Sequence, residues 1–350
     1  MDTNYPLNHP LAVKRWSKGL MKESLKSTSV MQFMGTSSNN IVQIKTELGK
    51  EAGDKVTFGL RLQLDGAGIA GDDTLEGNEE ALVTYSDSVT IDQLRHAVRS
   101  KGKMSEQRVP FTVRDESRDG LADWWADRYD TAFFNQVCGN TGQSDTRYTG
   151  MQAAVAPSTN RIIYQNQASE ASLTASDTFT LELIDYAVEM AMTGGSSTDQ
   201  IPLVPLRIGN EKKFVMFLHP YQVTDLRTNT STGQWLDIQK AAMSGGKVSG
   251  NPIFTGALGE YNGVVLHQNT RVPSVTTSTR RAVLCGAQAV AMAYGRNKNK
   301  NTYSWNEELF DYGNQLGVSA GCIWGMKKTQ FNSEDFGVVT VSTYAVAHTS

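Results

Sequence analysis

The stretch from Arg114 to Val137, RDESRDGLADWWADRYDTAFFNQV, carries the strongest secondary-structure signal in the chain. Its apolar residues recur at helical spacing, which predicts a helix of about 24 residues, roughly 36 Å long at 1.5 Å per residue. Acidic residues crowd its first turns, where carboxylates interact favourably with the positive end of the helix dipole. Gly139 follows shortly after and indicates where the helix ends.

One face of this helix is apolar and the opposite arc is acidic. The apolar face carries Leu121, Trp125, Tyr129 and Ala132, with Trp124 and Phe133 at its margins. The acidic arc carries Asp123, Asp127 and Asp130. Two residues break this order, because Arg128 falls within the apolar face and Phe134 falls among the aspartates. We therefore predict a scaffold helix contacted from more than one side, with Arg128 and Phe134 at a subunit interface and Arg128 paired with a carboxylate.

Size and composition are those of a globular protein. The chain has 350 residues, of which 39% are hydrophobic and 20% charged, and its net charge is −3. This balance argues against sequence-specific nucleic-acid binding, which usually requires a basic face. No apolar run approaches the roughly 18 residues of a membrane span, and no secretory signal pattern is present. The three cysteines lie far apart, which favours buried reduced thiols and a cytoplasmic site of folding.

The first 40 residues are predicted to form an arm rather than a domain. Leucines and a tryptophan keep helical spacing here among basic residues, which include Lys14, Arg15, Lys18 and Lys22. A basic amphipathic helix can bind a membrane, an acidic partner or a nucleic-acid backbone. The simpler interpretation is a terminal helix that packs on its own or a neighbouring subunit.

Upstream of the long helix, the sequence predicts an extended β-hairpin. Residues 55–64, KVTFGLRLQL, alternate between polar and apolar, which is typical of a half-buried strand of about 33 Å. A glycine-rich acidic turn and a second β-like run from Ala81 to Ile91 complete it. Because an isolated two-stranded ribbon is marginally stable in water, we predict that a neighbouring subunit covers it. The predicted interface residues are Val56, Phe58, Leu60, Leu62 and Leu64 on the strand and Glu76, Glu79 and Glu80 at the tip.

The remaining chain predicts mixed α and β structure. In chain order, the predicted elements are a linker from Ile91 to Phe111, a helix from about Asp177 to Thr193, a strand from Lys213 to Leu218 broken by His219-Pro220, a short helix from Tyr221, and strands at Gly263–His267, Ala282–Cys285 and Gly337–Ala347. The stretch Gly317–Gly325 is too rich in glycine to assign.

Two motifs associated with chemistry are present, and both lack the required context. Residues 66–71 spell the G-x-G-x-x-G of dinucleotide sites, but acidic residues follow where a helix should hold phosphate. Residues 317–321 spell the G-x-S-x-G of a nucleophile elbow, which needs a helix after it, whereas Cys322–Phe331 predicts β structure. A serine hydrolase using Ser319, with Asp335 and His348 following it as acid and histidine, therefore stays only as an alternative. The five histidines lack zinc-site pairing, so neither an enzyme nor a cofactor is predicted.

The segment DTLEGNEEALVTYSDSVTIDQLRHAVRSKGKMSEQRVPF (73–111), followed by LADWWADRYDTAFFNQV (121–137), resembles the major capsid proteins of tailed bacteriophages, in the family typified by coliphage N4. The strand before His219-Pro220 and the following helix agree with this layout. The resemblance implies an α+β protein with the Hong Kong-97-type viral capsid fold. That fold consists of an N-terminal arm, an extended β-hairpin loop, a peripheral domain with a long spine helix, and an axial domain.

The resemblance also implies domains, a function and partners. Residues 1–40 would be the arm, 41–100 the extended loop and linker, 101–170 with 325–350 the peripheral domain, and 171–324 the axial domain. The chain would self-assemble into hexamers and pentamers of an icosahedral head that encloses double-stranded DNA non-specifically, with the basic arm facing inward. A separate scaffolding protein and a portal are the other partners it implies, and it leaves open whether a decoration protein binds. An encapsulin-like compartment of the same fold is the alternative.

Overall fold

The computed structural model describes residues 28–46, 53–62, 64, 66–71, 74–110, 112–194, 201–209, 211–229, 257–295 and 303–348. The helices of this part are α1 (Lys103–Gln107), α2 (Val113–Val137), α3 (Leu181–Thr193) and α4 (Pro220–Thr228). The strands are β1 (Met34–Gly35), β2 (Val42–Lys45), β3 (Lys55–Arg61), β4 (Thr84–Thr90), β5 (Asp92–Arg99), β6 (Ile162–Tyr164), β7 (Leu206–Ile208), β8 (Glu211–Leu218), β9 (Ala257–Tyr261), β10 (Val264–Gln268), β11 (Thr279–Cys285), β12 (Val290–Tyr294), β13 (Tyr303–Phe310), β14 (Gln315–Lys328), β15 (Gln330–Phe331), β16 (Glu334–Asp335) and β17 (Val338–Tyr344).

The first sheet packs against the long helix α2. It has six strands. Five follow the order β1-β2-β12-β14-β13, and β5 pairs with Gly317–Trp324 of β14. Both β13 and β5 run antiparallel to β14. Alternate residues of β14, from Val318 to Met326, are buried in the same core as Trp125 and Tyr129 of the helix. The helix therefore covers one face of this sheet.

The second sheet is buried on both faces. It has seven strands in the order β6-β17-β11-β8-β10-β9, with β7 paired to β8. Phe214, Met216 and Leu218 of β8 lie in the core with α3, whereas Val215 and Phe217 lie in the core that contains the end of α2. This two-sided burial explains why β8 is a continuous apolar run instead of an alternating one.

Most predicted elements are confirmed. The long helix spans Val113–Val137, and Gly139 follows it at a φ of 61°, a left-handed conformation that ends helices. The helix predicted from about Asp177 to Thr193 is α3, which is followed by Gly194 at a φ of 82°. The predicted strands near residues 213, 264, 282 and 338 are β8, β10, β11 and β17. Local periodicity and glycine positions were sufficient signals for these elements.

The predicted linker from Ile91 to Phe111 is wrong. Asp92–Arg99 is the strand β5, and α1 follows it. Only Leu94 of this strand is buried, because β5 pairs with β14 alone and lies at the edge of the sheet. Without a buried face the sequence shows little alternation, which is the signal by which a strand is recognised.

The strand pairing also differs from the predicted domain boundaries. Most of β12–β14 was assigned to the axial domain, yet these strands belong to the sheet that packs on α2. Conversely, β17 was expected to return to the peripheral domain, but it pairs with β11 in the second sheet, where Val339 and Val341 lie in the core with α3 and Val338 lies in the core with α2. The predicted arm is shorter within the described residues, since Val30 and Ile41 are buried in the main core. The predicted domains were mostly continuous stretches of the chain, whereas the sheets pair segments that lie far apart in the sequence.

His219 connects β8 to α4 and is buried, with 6% of its surface exposed. Its Nδ1 accepts a hydrogen bond from the Tyr221 N–H (3.2 Å), and its own N–H donates to Oε1 of Gln222 (3.0 Å). This is a helix N-cap formed by an imidazole, followed by Pro220 in the first turn. Burial, together with the Arg280 guanidinium, lowers the pKa of His219 from 6.5 to about 4.

We expect acid to destabilise the fold through His219. The unfolded imidazole takes up a proton below pH 6.5, whereas the folded one stays neutral down to a pKa of about 4. The stability that depends on this group is therefore present above pH 6.5 and is lost as the pH falls towards 4, by on the order of 2 kcal/mol. Urea unfolding between pH 7 and pH 4 measures this loss. His219→Asn, which keeps a capping acceptor, should flatten the pH dependence, and an unchanged slope would contradict the assignment.

Candidate assembly interface

The base of the predicted hairpin packs on the chain's own body. β3 and β4 pair antiparallel from Lys55 opposite Thr90 to Arg61 opposite Thr84. Val56 and Val89 are buried in a cluster with alanines of β12, and the ring of Phe58 meets that of Phe331 edge-on at 6.1 Å. The prediction that another subunit must cover Val56 is therefore wrong, whereas Phe58 is half-buried and its contact with another subunit stays a prediction. The missing third layer comes from strands more than 200 residues downstream, which the sequence did not reveal.

A buried carboxylate fixes the base of the hairpin. Asp87 of β4 accepts hydrogen bonds from the Lys327 Nζ of β14 and from the Gln330 N–H (3.0 Å). Charge-assisted hydrogen bonds between partly buried groups are stronger than neutral ones. The hairpin is thus held at a defined point on the first sheet.

The distal hairpin, in contrast, leaves apolar side chains uncovered. We call residues 66–71 and 74–83 the hairpin tip. Leu60 and Leu62 are half-buried, but Leu64 is 56% exposed, and Leu75 and Leu82 in the tip are 62% and 57% exposed. Ile69 and Val83 are exposed as well. Contiguous exposed apolar residues mark a surface that another molecule covers.

The tip also presents carboxylates. Glu76, Glu79 and Glu80 are exposed. Glu79 accepts a hydrogen bond from the Gly77 N–H (2.8 Å) and Glu80 from the Gly66 N–H (2.8 Å), so backbone donors organise part of the turn. The predicted interface residues of the tip are therefore accessible, which is the condition for contact with another subunit.

Arg128 does not make the predicted ion pair with a carboxylate within the described residues. Its guanidinium lies 3.8 Å from the centre of the Tyr148 ring and 5.1 Å from that of Trp124, and His96 stacks on Trp124 at 4.6 Å. These are cation–π contacts. The pKa of Asp145 is lowered mainly by its hydrogen bond from Arg147, and the positive charge of Arg128 acts in the same direction. Contact of Arg128 with another subunit stays a prediction.

Phe134 is not at a subunit interface. It is fully buried, and its ring lies 5.5 Å from Phe217 of the second sheet. Asp130, assigned to the acidic arc, is buried too and accepts hydrogen bonds from Ser29 and from the Val30 N–H. The end of α2 is enclosed on all sides, so helical periodicity could not separate an inner face from an outer one there. The arm residues Lys14, Arg15, Lys18 and Lys22 lie outside the described residues.

The residues of the hydrolase alternative are not brought together. Ser319 lies in the middle of β14, and its hydroxyl donates to the Asn306 carbonyl (3.4 Å). Asp335 is buried in an ion pair with Lys328 (2.9 Å), and His348 pairs with Asp225 (2.8 Å). A strand continues where a nucleophile elbow needs a helix. Within the described ranges, no group of metal-ligating side chains occurs, and none of the helices could cross a membrane.

The predicted state of the cysteines is confirmed. Cys138, Cys285 and Cys322 are free and buried. Burial is the main cause that raises the pKa of Cys138 to about 12. A thiol of this kind stays protonated and unreactive, so the cysteines contribute packing rather than chemistry.

An exposed apolar and acidic hairpin, on a body whose described residues bring no reactive groups together, is typical of a subunit that associates with other protein chains. Residues 4–347 match the family model described as phage capsid protein, and the chain belongs to this family. It is 30% identical over 368 residues to the major capsid protein of Pseudomonas phage KPP25, with 93% of each chain covered.

Solved capsid structures agree with this assignment. The capsid of Ralstonia phage GP4 matches with a TM-score of 0.77 and 36% identity over 91% of each chain. The capsid of cyanophage Pam1 matches with a TM-score of 0.73 at 20% identity, over 93% of this chain and 94% of that one. The chain is thus a major capsid protein of a tailed phage, a structural component of the virion that assembles into a shell and not an enzyme. The encapsulin-like and hydrolase alternatives find no support.

Proposed function

We propose that this chain forms the hexamers and pentamers of an icosahedral head of the Hong Kong-97 type, in a subfamily like that of coliphage N4. In this assignment α2 is the spine helix, α2 with the first sheet forms the peripheral domain, and the second sheet with α3 forms the axial domain. β3 and β4 form the extended loop. The sheet pairing supports these revised boundaries over the predicted ones, because it groups strands by the helix they pack on.

The observation that carries the proposal is the contrast between the two halves of the hairpin. Its base is buried on the chain's own body, whereas Leu64, Leu75 and Leu82 are more than half exposed. We take this contact to be head-to-tail, with the tip of one copy on a different surface of the next copy. Repeated head-to-tail contacts close into rings when the rotation between copies permits it.

The remaining partners follow from charge and layout. A net charge of −3 is compatible with a shell that encloses double-stranded DNA without binding it tightly. Lys14, Arg15, Lys18 and Lys22 of the arm would face this interior, where phosphates attract basic residues. A separate scaffolding protein, a portal and a decoration protein complete the head.

Removing the hairpin tip tests the proposal. The Leu62 N–H donates to the Val83 carbonyl (3.1 Å), so an Asn-Gly turn in place of residues 63–82 closes the hairpin at an existing pair. We expect a folded protein, because the buried base is kept, and no shells in sedimentation or negative-stain microscopy. Ser86→Ala, an exposed polar change on the same hairpin, is the control and should assemble normally. Shells formed by the shortened chain would contradict the role assigned to the loop.

A further inference from the structure

We infer that the N-terminal arm docks on the exposed acidic side of α2 in its own chain and runs parallel to that helix. We call this side of α2 the acidic row and define it by five carboxylates: Asp115, Glu116, Asp119, Asp123 and Asp127. The occupant is residues 14–26, which lie outside the described residues and carry the lysines and the arginine of the arm. The inference goes beyond the proposed function, because it concerns the folded chain and not the contact between copies.

The acidic row is accessible and only partly neutralised. Four of its members are exposed and Asp127 is partly exposed. Its aspartates recur every four residues, so they follow one another along one side of the helix. Arg118 pairs with Asp119 (2.6 Å) and Arg271 with Asp127 (3.0 Å), whereas the other three members form no ion pair within the part of the chain that the structure describes. Like charges at this spacing destabilise a helix, so cations placed along the row would stabilise α2.

The dipole of α2 explains only the beginning of the row. Asp115 and Glu116 lie in the first turn, where carboxylates interact favourably with the helix N-terminus. That effect falls off within one turn, yet the row continues to Asp127, about 18 Å further along at 1.5 Å per residue. A partner outside the helix is therefore the more direct explanation for the later aspartates.

The first described residues lie at the end of this row. The Ser29 N–H (3.0 Å) and hydroxyl (2.8 Å) donate to the Asp130 carboxylate, and the Val30 N–H donates to it as well (3.3 Å). Asp130 lies about one turn beyond Asp127, and Arg271 contacts both carboxylates. The arm therefore joins the body beside the last member of the acidic row, from which it can follow the row back towards the start of α2.

The arm and the acidic row also match in their spacing. Ser29 binds the residue 101 positions later in the sequence. The same offset pairs every lysine and arginine of residues 1–40 with a carboxylate: Lys14 with Asp115, Arg15 with Glu116, Lys18 with Asp119, Lys22 with Asp123 and Lys26 with Asp127. Two helices that run side by side in the same direction keep a constant offset, because both rise by the same distance per residue. The helical spacing predicted for the arm therefore brings all these pairs within reach, since the flexible lysine stems absorb the winding of each row.

These pairs position the arm and leave it open on its other side. A single exposed ion pair contributes little to stability, so the arm is held by several pairs that act together with the Ser29 hydrogen bonds. A lysine ammonium has three donors, so a lysine that meets an aspartate can still meet a phosphate. The placement is therefore compatible with an arm on the inner side of the shell.

Coupling with a carbodiimide tests the pairing in the full, folded chain before assembly. The reagent joins a lysine amine to a carboxylate in contact with it as an amide, and it takes up the water that is lost and becomes a urea. Peptide mass spectrometry should find Lys18 joined to Asp119 and Lys22 joined to Asp123 as the main products of these lysines. The same coupling in a mixture of isotope-labelled and unlabelled chains shows whether both partners belong to one chain.

A charge exchange tests whether the row holds the arm. Asp119→Lys with Asp123→Lys should lower the coupling of the two unaltered lysine–aspartate pairs by about fivefold or more, because like charges then repel the arm. Adding Lys18→Asp with Lys22→Asp restores opposite charges, and the coupling of the unaltered pairs should recover to within about twofold of the original chain.

The control and the opposing outcomes are equally defined. Glu182→Lys with Glu189→Lys makes the same change of charge on the exposed side of α3 and should leave the coupling of the arm unchanged. Lysines that stay uncoupled would mean that the arm packs through Trp16 and Leu20 instead, and products that mix the two isotopes would place it on another copy. Either result overturns the inference. Because coupling is measured before assembly, its failure leaves the capsid function standing.

Discussion

Gly325→Ala is expected to destabilise the protein by about 3 kcal/mol or more, enough to unfold much of the population. An added Cβ would overlap the Thr90 carbonyl oxygen and lie 3.0 Å from its carbon and 3.2 Å from Cα of Ile91. All these atoms are backbone, so no side-chain rotation relieves the clash. The junction between β4 and β5 would have to move away from β14, which breaks strand pairing and opens the apolar cluster at the hairpin base.

Gly120→Ala is the matched control for this substitution. Gly120 is exposed in α2, and a Cβ there would meet nothing within 4 Å. Alanine is a better helix former than glycine by about 1 kcal/mol, so this variant should be slightly more stable than the original chain. Urea unfolding of both variants measures the difference. Equal stabilities would mean that the close approach at Gly325 is not rigid.

The glycines of β14 show why the first half of this strand could not be predicted, although Cys322–Phe331 was correctly expected to be β structure. A strand is recognised by alternating side chains, but Gly317, Gly321 and Gly325 take three of the five positions from 317 to 325 on one face of β14, so the alternation there is weak. Glycine is required at these positions because β4, β5 and β13 approach β14 too closely for a Cβ atom. Information about those neighbours lies in distant segments, for example at Thr90, which is 235 positions before Gly325, and no local pattern can carry it. The long helix was predictable because its signal is contained in its own residues.

The candidate interface was predictable to a similar extent. Exposure of Leu64 and of the tip glutamates follows from a glycine-rich acidic turn, which is a local feature. Burial of Val56 under β12 and of Phe134 under the second sheet depends on tertiary packing, so those two assignments failed. The sequence resemblance supplied the capsid assignment, whereas the pairing of β5 with β14 became evident only in the structure.

Asp130 shows most clearly how tertiary structure overrides helical periodicity. It is 1% exposed, and its carboxylate accepts hydrogen bonds from the Ser29 N–H (3.0 Å), the Ser29 hydroxyl (2.8 Å) and the Val30 N–H (3.3 Å), with Arg271 at 3.4 Å. Burial raises the pKa of Asp130, although the Ser29 bonds and Arg271 act in the opposite direction. The buried carboxylate thus has a desolvation cost, yet it is the acceptor that joins residues 28–30 to the spine helix.

Asp130→Ala is therefore expected to lower the unfolding free energy by about 3 kcal/mol. The substitution removes the acceptor of the two Ser29 donors and of the buried Val30 N–H, and a buried donor without an acceptor costs more than the lost bond contributes. Asp130→Asn keeps one acceptor oxygen and should lose about half as much. Asp123→Ala, on the exposed side of the same helix, should change stability by less than about 0.5 kcal/mol. Denaturant unfolding ranks the three variants, and a loss for Asp130→Ala no larger than that for Asp123→Ala would show that the connection to residues 28–30 does not stabilise the fold.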